Sequence, residues 1–343
     1  MKSLTFPSKV NLADVTVRDG FQHEEKFIPT TAKLWCLEEL ILAGFRRVEV
    51  TNLGNPKNMP QFKDADELFK ALYNSKRVKE ILPEVELTAV TIRERAVDRA
   101  IELKEKGYGP TRILQMVSTS PSHMYRNSGL TYQEYWKMTE QSIIKAHDAG
   151  IKVNGTISTI WGCPIEGSTD MNKAIEFTKH YLELGADDIE HADHDGSATP
   201  DRVYRYFSSL LDAIPDPNIH IAHFHVTRGW GLANVLAALQ AGIINFECTL
   251  GGIGGQPANF VDGSPVAGTG DYYYKDPNYV GLVSTEDLTV MLDEMGIDTG
   301  IDVDRVLRIG KMVEKIVGRR LRSETIYNGR ITKKLCAMSE VMF

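Results

Sequence analysis

Two histidines two positions apart, His223 and His225, are the residues whose spacing most directly suggests chemistry. On a β-strand, residues two apart face the same side, so both imidazoles would lie together on one face. Gly229 and Gly231 then open a helical pattern, and 246–250 is the next buried-strand candidate. Two imidazoles at a strand end, above a strand–helix–strand unit, could bind a metal. The alternative is one packed histidine and one solvated histidine.

Further polar residues lie at the ends of other strand-like segments. Arg18 and Asp19 follow the first segment, Glu49 lies in the second, and Asp193 and His194 follow the sixth. One carboxylate and two imidazoles on one rim could hold a divalent ion with positions left open for substrate oxygens. Arg18 beside that ion could neutralise an enolate oxygen as it forms.

Three side chains are candidates for moving a proton at this rim: His23, Asp193 and His194. Histidine and carboxyl groups are the common general acids and bases. His23 follows the first strand-like segment and is equally well explained by exposure to solvent. His191 and His194 flank Asp193, and we expect one of these two histidines to face the site and the other to face away.

Strand-like and helical patterns alternate along the chain, which indicates a parallel (β/α)8 TIM barrel of the α/β class. The alternative is a doubly wound open sheet, but no Gly-x-Gly-x-x-Gly near the N-terminus favours it. The predicted strands are Val10–Val17, Arg47–Thr51, Glu86–Thr91, Arg112–Val117, Lys152–Ser158, Asp188–Ala192, His220–Phe224 and Asn245–Thr249.

Composition limits the class of protein. The chain has 343 residues, 42% of them hydrophobic, and a net charge of −7, which argues against a nucleic-acid surface. Residues 1–9 have no apolar core typical of a signal peptide, and no apolar run is long enough to span a membrane. The four cysteines are scattered, as in reduced proteins. We therefore expect a cytoplasmic protein without membrane or nucleic-acid partners.

The expected organisation is a catalytic barrel over residues 1–300 and a C-terminal helix and tail over residues 301–343, packed on the barrel. The final helical pattern is Val303–Val317. Within the barrel, residues 256–283 form one long irregular stretch rich in Gly, Pro, Asp and Tyr. A loop this long in a compact domain is usually a lid or a binding loop.

Two motifs make the sequence resemble a known superfamily. Thr16–Gln22 is similar to its Arg-Asp-Gly-x-Gln motif, and His223-Phe224-His225 before Gly-x-x-Leu-Ala-Asn resembles its metal-binding strand. The superfamily is that of the metal-dependent barrels, the DRE-TIM metallolyases. It includes 3-hydroxy-3-methylglutaryl-CoA lyase, 2-isopropylmalate and homocitrate synthases, and 4-hydroxy-2-oxovalerate aldolase. The resemblance covers roughly residues 10–318, and the segments 162–167 and 285–300 look most like the lyase.

The resemblance implies roles for individual residues. By it, Asp19, His223 and His225 bind a divalent metal, most simply Mg²⁺ or Mn²⁺, with Zn²⁺ or Co²⁺ as alternatives. Arg18 would stabilise the developing enolate, and Glu49 would support the metal shell through its neighbours. We assign Gln22, Glu49 and Gln256 to substrate binding.

The sequence also departs from the lyase pattern. The lyase carries a catalytic cysteine in a Gly-Gly-Cys-Pro loop, where this chain has Gln256. Leu282 stands where the lyase takes an asparagine ligand just before Thr-Glu-Asp. An alternative register, similar to the loop of the synthases, would make Asn259 the amide ligand.

The predicted function is metal-dependent retro-aldol or retro-Claisen cleavage of a 3-hydroxy acid or 3-hydroxyacyl-CoA. Its partner would be a small molecule, including a CoA thioester, and a homodimer is expected. One alternative is a Claisen-type synthase that condenses acetyl-CoA with a 2-oxo acid. Another, from a different class, is a non-catalytic barrel that binds acyl-CoA or acts as a scaffold.

Overall fold

The computed structural model of the protein describes residues 6–24, 26–57, 59–255, 258–261, 264–267 and 280–331. For residue 23 and the segments 258–261 and 264–267, the description covers the backbone alone. Among the described residues, no helix combines the length and the apolar character needed to cross a membrane.

Eight parallel strands form a closed barrel, because the last strand pairs with the first as well as with the seventh. This is the (β/α)8 architecture that the alternating patterns predicted, and the prediction is confirmed. The strands are β1 (Asn11–Asp14), β2 (Arg47–Asn52), β3 (Glu86–Val90), β4 (Arg112–Ser118), β5 (Lys152–Ser158), β6 (Asp188–Asp193), β7 (His220–Phe224) and β8 (Asn245–Cys248).

Helices surround the barrel, and most of the apolar core lies between them and the strands. The helices are α1 (Thr30–Ala43), α2 (Ala65–Tyr73), α3 (Glu94–Glu105), α4 (Pro121–Ser128), α5 (Tyr132–Asp148), α6 (Met171–Leu184), α7 (Pro200–Ala213), α8 (Gly231–Ala241), α9 (Thr285–Glu294), α10 (Val303–Val317) and α11 (Glu324–Asn328). Local sequence explains several boundaries. A reciprocal capping box of Thr131 and Glu134 begins α5, for example.

The first strand is shorter than the predicted segment Val10–Val17, and that boundary was wrong. β1 stops at Asp14, because Asp14 Oδ1 accepts the N–H of Thr16 at 2.9 Å and turns the chain. Residues 16–20 then form a π-helical turn, in which the N–H groups of Asp19 and Gly20 both donate to Val15 O. This turn, rather than a continuing strand, carries the Arg-Asp motif into the barrel mouth.

The chain after β8 forms a hairpin of β9 (Ala258–Val261) and β10 (Ser264–Ala267), paired antiparallel. β10 lies next to α4, which follows β4. Because β4 and β8 are on opposite sides of an eight-stranded ring, the hairpin reaches from one side of the mouth to the other.

The C-terminal helix α10 packs against α1 and α9, and it has the bounds that the helical pattern predicted. Arg305 of α10 forms an ion pair of 2.8 Å with Glu39 of α1. Gly44 ends α1 in a left-handed conformation, with φ of 114°, and a Cβ at this position would collide with Gly300 O. The segment before α10 therefore lies directly on the end of α1.

Candidate metal centre and active site

Three potential metal ligands meet at the C-terminal mouth of the barrel. Asp19 lies in the turn after β1, His223 lies near the end of β7, and His225 follows that strand directly. Each offers one ligand atom, these atoms lie within 4.8 Å of one another, and all three side chains are buried. The turn and the strand end thus bring together three residues that are far apart in the sequence.

The protonation states of these residues suit metal binding. Burial alone would raise the pKa of Asp19, but Arg18, His225 and His223 together hold that pKa below its usual value. Burial, followed by the proximity of His223, lowers the pKa of His225 to about 3. At neutral pH the site therefore presents a carboxylate and a neutral imidazole, which are the forms that bind a cation.

Two buried glutamates hold His223 from inside the barrel. His223 Nδ1 lies 2.7 Å from Glu247 Oε2 and 3.4 Å from Glu190 Oε1. These contacts leave Nε2 free to bind a metal, which is the usual arrangement when a carboxylate supports a metal-binding histidine. Burial and neighbouring carboxylates raise the pKa of both glutamates to about 8.

Sequence reasoning missed Glu190 and Glu247, which lie within fully buried strands, β6 and β8. Because side chains alternate along a strand, Glu190 points into the barrel while the next residue, His191, points outward. His191 Nδ1 lies 2.8 Å from the hydroxyl of Tyr206 in α7, so His191 faces away from the site. A charged residue at an inward position of a barrel strand was the signal that could have identified both glutamates.

Arg18 lies beside the metal ligands and is held on two sides. Its Nε lies 2.5 Å from Glu49 Oε2, and its Nη1 lies 2.8 Å from Asp19 Oδ2, with all three side chains buried. Burial lowers the pKa of Arg18, but Glu49 and Asp19 outweigh that effect and raise it, so the guanidinium stays charged. Glu49 therefore fixes the orientation of the Arg18 side chain. Its other oxygen, Oε1, is buried without a hydrogen-bond partner among the described residues.

The glycine turn after β8 passes directly over Asp19. Gln22 Nε2 donates to Gly255 O at 2.9 Å and lies 3.3 Å from Asp19 Oδ1. A Cβ on Gly254 would lie 3.1 Å from Asp19 Oδ1 and 2.8 Å from a methyl group of Leu282, at a φ of 130°. Only glycine fits this position, so the turn forms a close wall of the metal site.

Three predicted site residues fall wholly or partly outside the description of the structure. Gln256 follows Gly255 in the chain but is not among the described residues. Asn259 lies in β9, where its backbone is paired with Val266, but its side chain is outside the description. The side chain of His23 is outside it too. Their assigned roles stay predictions.

The other two candidates for proton transfer differ in their surroundings. Asp193 Oδ1 accepts the N–H of Ser197 at 2.9 Å, so this carboxyl group braces the loop after β6. Burial raises the pKa of Asp193 to about 8. His194 faces the metal ligands, with its ring centroid 6.4 Å from that of His225, and burial lowers its pKa to about 4.

Leu282 takes the place of a possible further ligand. It forms an antiparallel bridge with His225, and Val226 N–H donates to Gly281 O at 2.7 Å. This pairing brings residue 282 next to the metal ligands, but its buried side chain is apolar and has no donor atom. A cation here would thus keep that side open to another ligand.

The donor set fits a divalent cation. It supplies a carboxylate oxygen and two imidazole nitrogens, it is buried, and the carboxyl group of Glu247 contacts Nδ1 of His223. A charged arginine and a close-fitting glycine turn complete the surroundings. Such a site can bind the oxygens of a substrate and stabilise negative charge that develops beside the cation.

A closed (β/α)8 barrel with this centre at its mouth defines the class of metal-binding barrel enzymes. Comparison with known proteins identifies the group within that class, because the family model described as HMGL-like matches residues 9–313. The chain belongs to the HMGL-like family, and it is a carbon–carbon lyase.

Individual relatives agree over nearly the whole chain. Hydroxymethylglutaryl-CoA lyase YngG of Bacillus subtilis is 28% identical, over 94% of this chain and 98% of its own length. The cytoplasmic 3-hydroxy-3-methylglutaryl-CoA lyase of Rattus norvegicus is 30% identical, over 93% of this chain and 84% of its own. The structure of an HMG-CoA lyase from Acinetobacter baumannii, in complex with coenzyme A and 3-methylmalate, matches with a TM-score of 0.82. It is 29% identical and covers 96% of this chain and 98% of its own.

Proposed function

We propose that the protein cleaves a 3-hydroxyacyl-CoA thioester of the 3-hydroxy-3-methylglutaryl-CoA type into an acyl-CoA and an oxo acid. The observation that carries the proposal is the buried cluster of Asp19, His223 and His225 with Arg18 beside it. The names of the relatives support a CoA thioester as substrate. This chain has Gln256 and Leu282 where the lyase pattern has a cysteine and an asparagine, so the substrate screen must decide which acyl group it accepts.

Asp19, His223 and His225 would hold the metal, and Mg²⁺ or Mn²⁺ is proposed ahead of Zn²⁺ or Co²⁺. When bound, the metal supplies Lewis-acid chemistry that lowers the pKa of the substrate hydroxyl. The side chains of the protein stabilise the enolate and contact the substrate. Arg18, aimed by Glu49, neutralises the enolate oxygen as the carbon–carbon bond breaks. Gln22, held near Asp19, contacts the substrate from the same side.

Proton transfer is assigned to His194. Retro-aldol cleavage removes a proton from the hydroxyl oxygen and adds one to the enolate carbon, so the site needs a group that exchanges protons with substrate. The carboxyl group of Asp193 accepts a hydrogen bond from the backbone N–H of Ser197, whereas the ring of His194 faces the proposed metal ligands. In this assignment no thiol is needed, and Gln256 contributes a hydrogen bond to the substrate in place of the lyase cysteine.

The test is a substrate screen on metal-free and metal-loaded protein. Enzyme stripped with a chelator and reloaded with Mg²⁺, Mn²⁺, Zn²⁺ or Co²⁺ is incubated with a panel of 3-hydroxyacyl-CoAs that includes 3-hydroxy-3-methylglutaryl-CoA. Mass spectrometry should detect acyl-CoA and oxo-acid products with the loaded enzyme only, and thiol alkylation should leave the rate largely intact. Condensation of acetyl-CoA with 2-oxo acids and no cleavage of any thioester would overturn the proposal in favour of a synthase. A barrel that binds acyl-CoA without turnover would indicate a binding protein.

Location and assembly form the remaining part of the proposal. The described cysteines, Cys36, Cys163 and Cys248, are buried and form no disulfide, which supports a reducing compartment such as the cytoplasm. A homodimer is proposed from the family resemblance alone. Light scattering coupled to size-exclusion chromatography should give twice the chain mass of 38.4 kDa. A monomer mass would exclude the dimer without affecting the lyase assignment.

A further inference from the structure

A second buried histidine stands behind His194. His123, in the first turn of α4, places its Nε2 atom 3.1 Å from His194 Nε2. The two rings meet edge to face, with their centroids 4.5 Å apart. Both side chains are buried, His123 completely, and they follow β4 and β6, two strands that are separated in the ring by β5.

The backbone around His123 is firmly held. Ser120 caps α4, its Oγ accepting the N–H of His123 at 3.2 Å. Just before it, Ser118 Oγ and Thr119 Oγ1 lie 2.7 Å and 2.9 Å from Thr159 Oγ1. Thr159 has a φ of 61°, a conformation that a β-branched residue keeps only where its surroundings enforce it. These contacts fix the position from which His123 reaches His194.

The contact links the tautomeric states of the two imidazoles. Two neutral rings that meet through Nε2 form a hydrogen bond only if one carries its proton there and the other does not. Burial lowers the pKa of the His123 imidazole, so this ring is neutral near pH 7, and the 3.1 Å contact relates the position of its proton to that of His194. Asn127, one turn further along α4, adds an amide 3.2 Å from His123 Nε2. The tautomer of His194 therefore depends on His123.

We propose that His123 is a positioning residue, whose hydrogen bond holds the His194 ring in one orientation and one tautomer beside the metal ligands. This inference rests on the proposed function, in which His194 exchanges the proton with substrate. His123 acts on the reaction only through His194. β10 lies next to α4, the helix that carries His123.

A double-mutant cycle tests the proposal on the metal-loaded full-length enzyme, with 3-hydroxy-3-methylglutaryl-CoA as the substrate. His194→Ala should lower kcat about 100-fold, the lower end of the range for a general acid or base. His123→Phe keeps a ring but no hydrogen bond, and it should lower kcat roughly tenfold with KM and metal content unchanged. The double variant should be no slower than His194→Ala, because positioning has no effect once the positioned ring is gone.

Three further variants separate positioning from structure. His123→Gln, whose amide can occupy the place of Nε2, should recover most of the lost kcat. Met124→Ala removes a buried neighbour on the same helix without touching His194, and it should lower the melting temperature but not kcat. Asn127→Ala should slow turnover in the same direction as His123→Phe, and it serves as the second variant if the ring replacement unfolds the protein.

Several results would overturn the inference. If the losses in kcat from His123→Phe and His194→Ala multiply in the double variant, His123 acts independently of His194. If His194→Ala is slow but His123→Phe turns over like the wild type, His194 keeps its role and positioning by His123 is wrong. If His194→Ala itself keeps wild-type kcat, the proton assignment fails, and the inference fails with it. The cleavage reaction stands in every one of these cases.

Discussion

At the scale of single residues, the site depends on charges that hold one another in place. Glu49 binds Arg18, Arg18 binds Asp19, and the same Arg18 keeps the pKa of Asp19 low. A guanidinium fixed through Nε and Nη1 has its remaining N–H groups directed by the geometry of its planar fork. Orientation, as well as charge, is therefore built into this position.

Arg18→Lys tests that orientation. Lysine keeps the positive charge but cannot bind Glu49 and Asp19 through a planar fork. We expect kcat to fall by roughly 10² or more, the effect of losing one donor to a developing oxyanion. Steady-state kinetics would contradict the assigned role if kcat stayed constant and only KM rose, because that pattern reports lost ground-state binding.

His225→Ala should remove most of the bound metal. The variant loses one of the three ligands that cluster among the described residues, and the apolar Leu282 beside it offers no replacement. Elemental analysis after dialysis measures the metal content, and the matched control is His180→Ala, an exposed histidine on α6. Full metal content in His225→Ala, with normal turnover, would show that the ion binds elsewhere.

At the scale of elements, the turn after β1 decides where the Arg-Asp motif stands. Asp14, at the end of β1, accepts the N–H of Thr16 and, at 2.7 Å, the hydroxyl of Thr285 in α9. Burial raises the pKa of Asp14 to about 6, despite these hydrogen bonds. The carboxyl group thus joins the first strand, the catalytic turn and the helix that follows the long loop.

The titration of Asp14 should make the stability of the protein depend on pH. Because its pKa is higher in the folded protein than in the unfolded chain, the folded state binds more protons. Its contribution to stability is then complete below about pH 4 and is lost as the pH rises through about 6. Asp14→Asn keeps the shape but not the titration, so between pH 5 and 8 the variant should lose roughly 1 kcal/mol less stability than the wild type. Urea unfolding at several pH values measures this, and parallel curves for the two proteins would refute it.

Sequence patterns predicted the barrel and the shared face of His223 and His225 because both depend on local regularity, whereas the grouping of Asp19 with these histidines was predicted from the family resemblance. His223 and His225 share a face because they are two residues apart on a strand. Strands and helices are recognised in a sequence from the different periods of their hydrophobic residues. The sharp end of β1 was missed because it depends on one side-chain hydrogen bond, from Thr16 N–H to Asp14. The pairing of His123 with His194 was missed because it joins the first turn of α4 to the loop after β6, and no periodicity of the sequence indicates that these two segments meet.

At the scale of the whole molecule, the C-terminal segment is attached to the barrel by a close backbone contact. Gly44 ends α1 with a φ of 114°, and its missing Cβ leaves room for Gly300 O. The ion pair between Arg305 and Glu39 lies on the same pair of helices, α10 and α1. The close backbone contact at Gly44 and this half-buried ion pair therefore both join α1 to the C-terminal segment.

Gly44→Ala should destabilise the fold strongly. Alanine would be strained at that φ and would also collide with Gly300 O, so we expect a loss of about 2 kcal/mol or more in the free energy of unfolding. Gly318→Ala is the matched control, because Gly318 is also left-handed, with φ of 74°, but has no atom near its missing Cβ. That control should lose only about 1 kcal/mol. If urea unfolding showed that both variants lose the same free energy of unfolding, the contact with Gly300 would not contribute to stability.

The closure of the ring sets an order of events during synthesis of the protein. Asn11 of β1 hydrogen-bonds to Asn245 of β8, which is 234 residues further along the chain. At about 5–20 residues per second, the ribosome releases the first strand roughly 10–50 s before its last neighbour exists. Asp19 is likewise made about 200 residues before His223 and His225. A metal held by these three residues, as proposed, would find all of its ligands only after the seventh strand has been made.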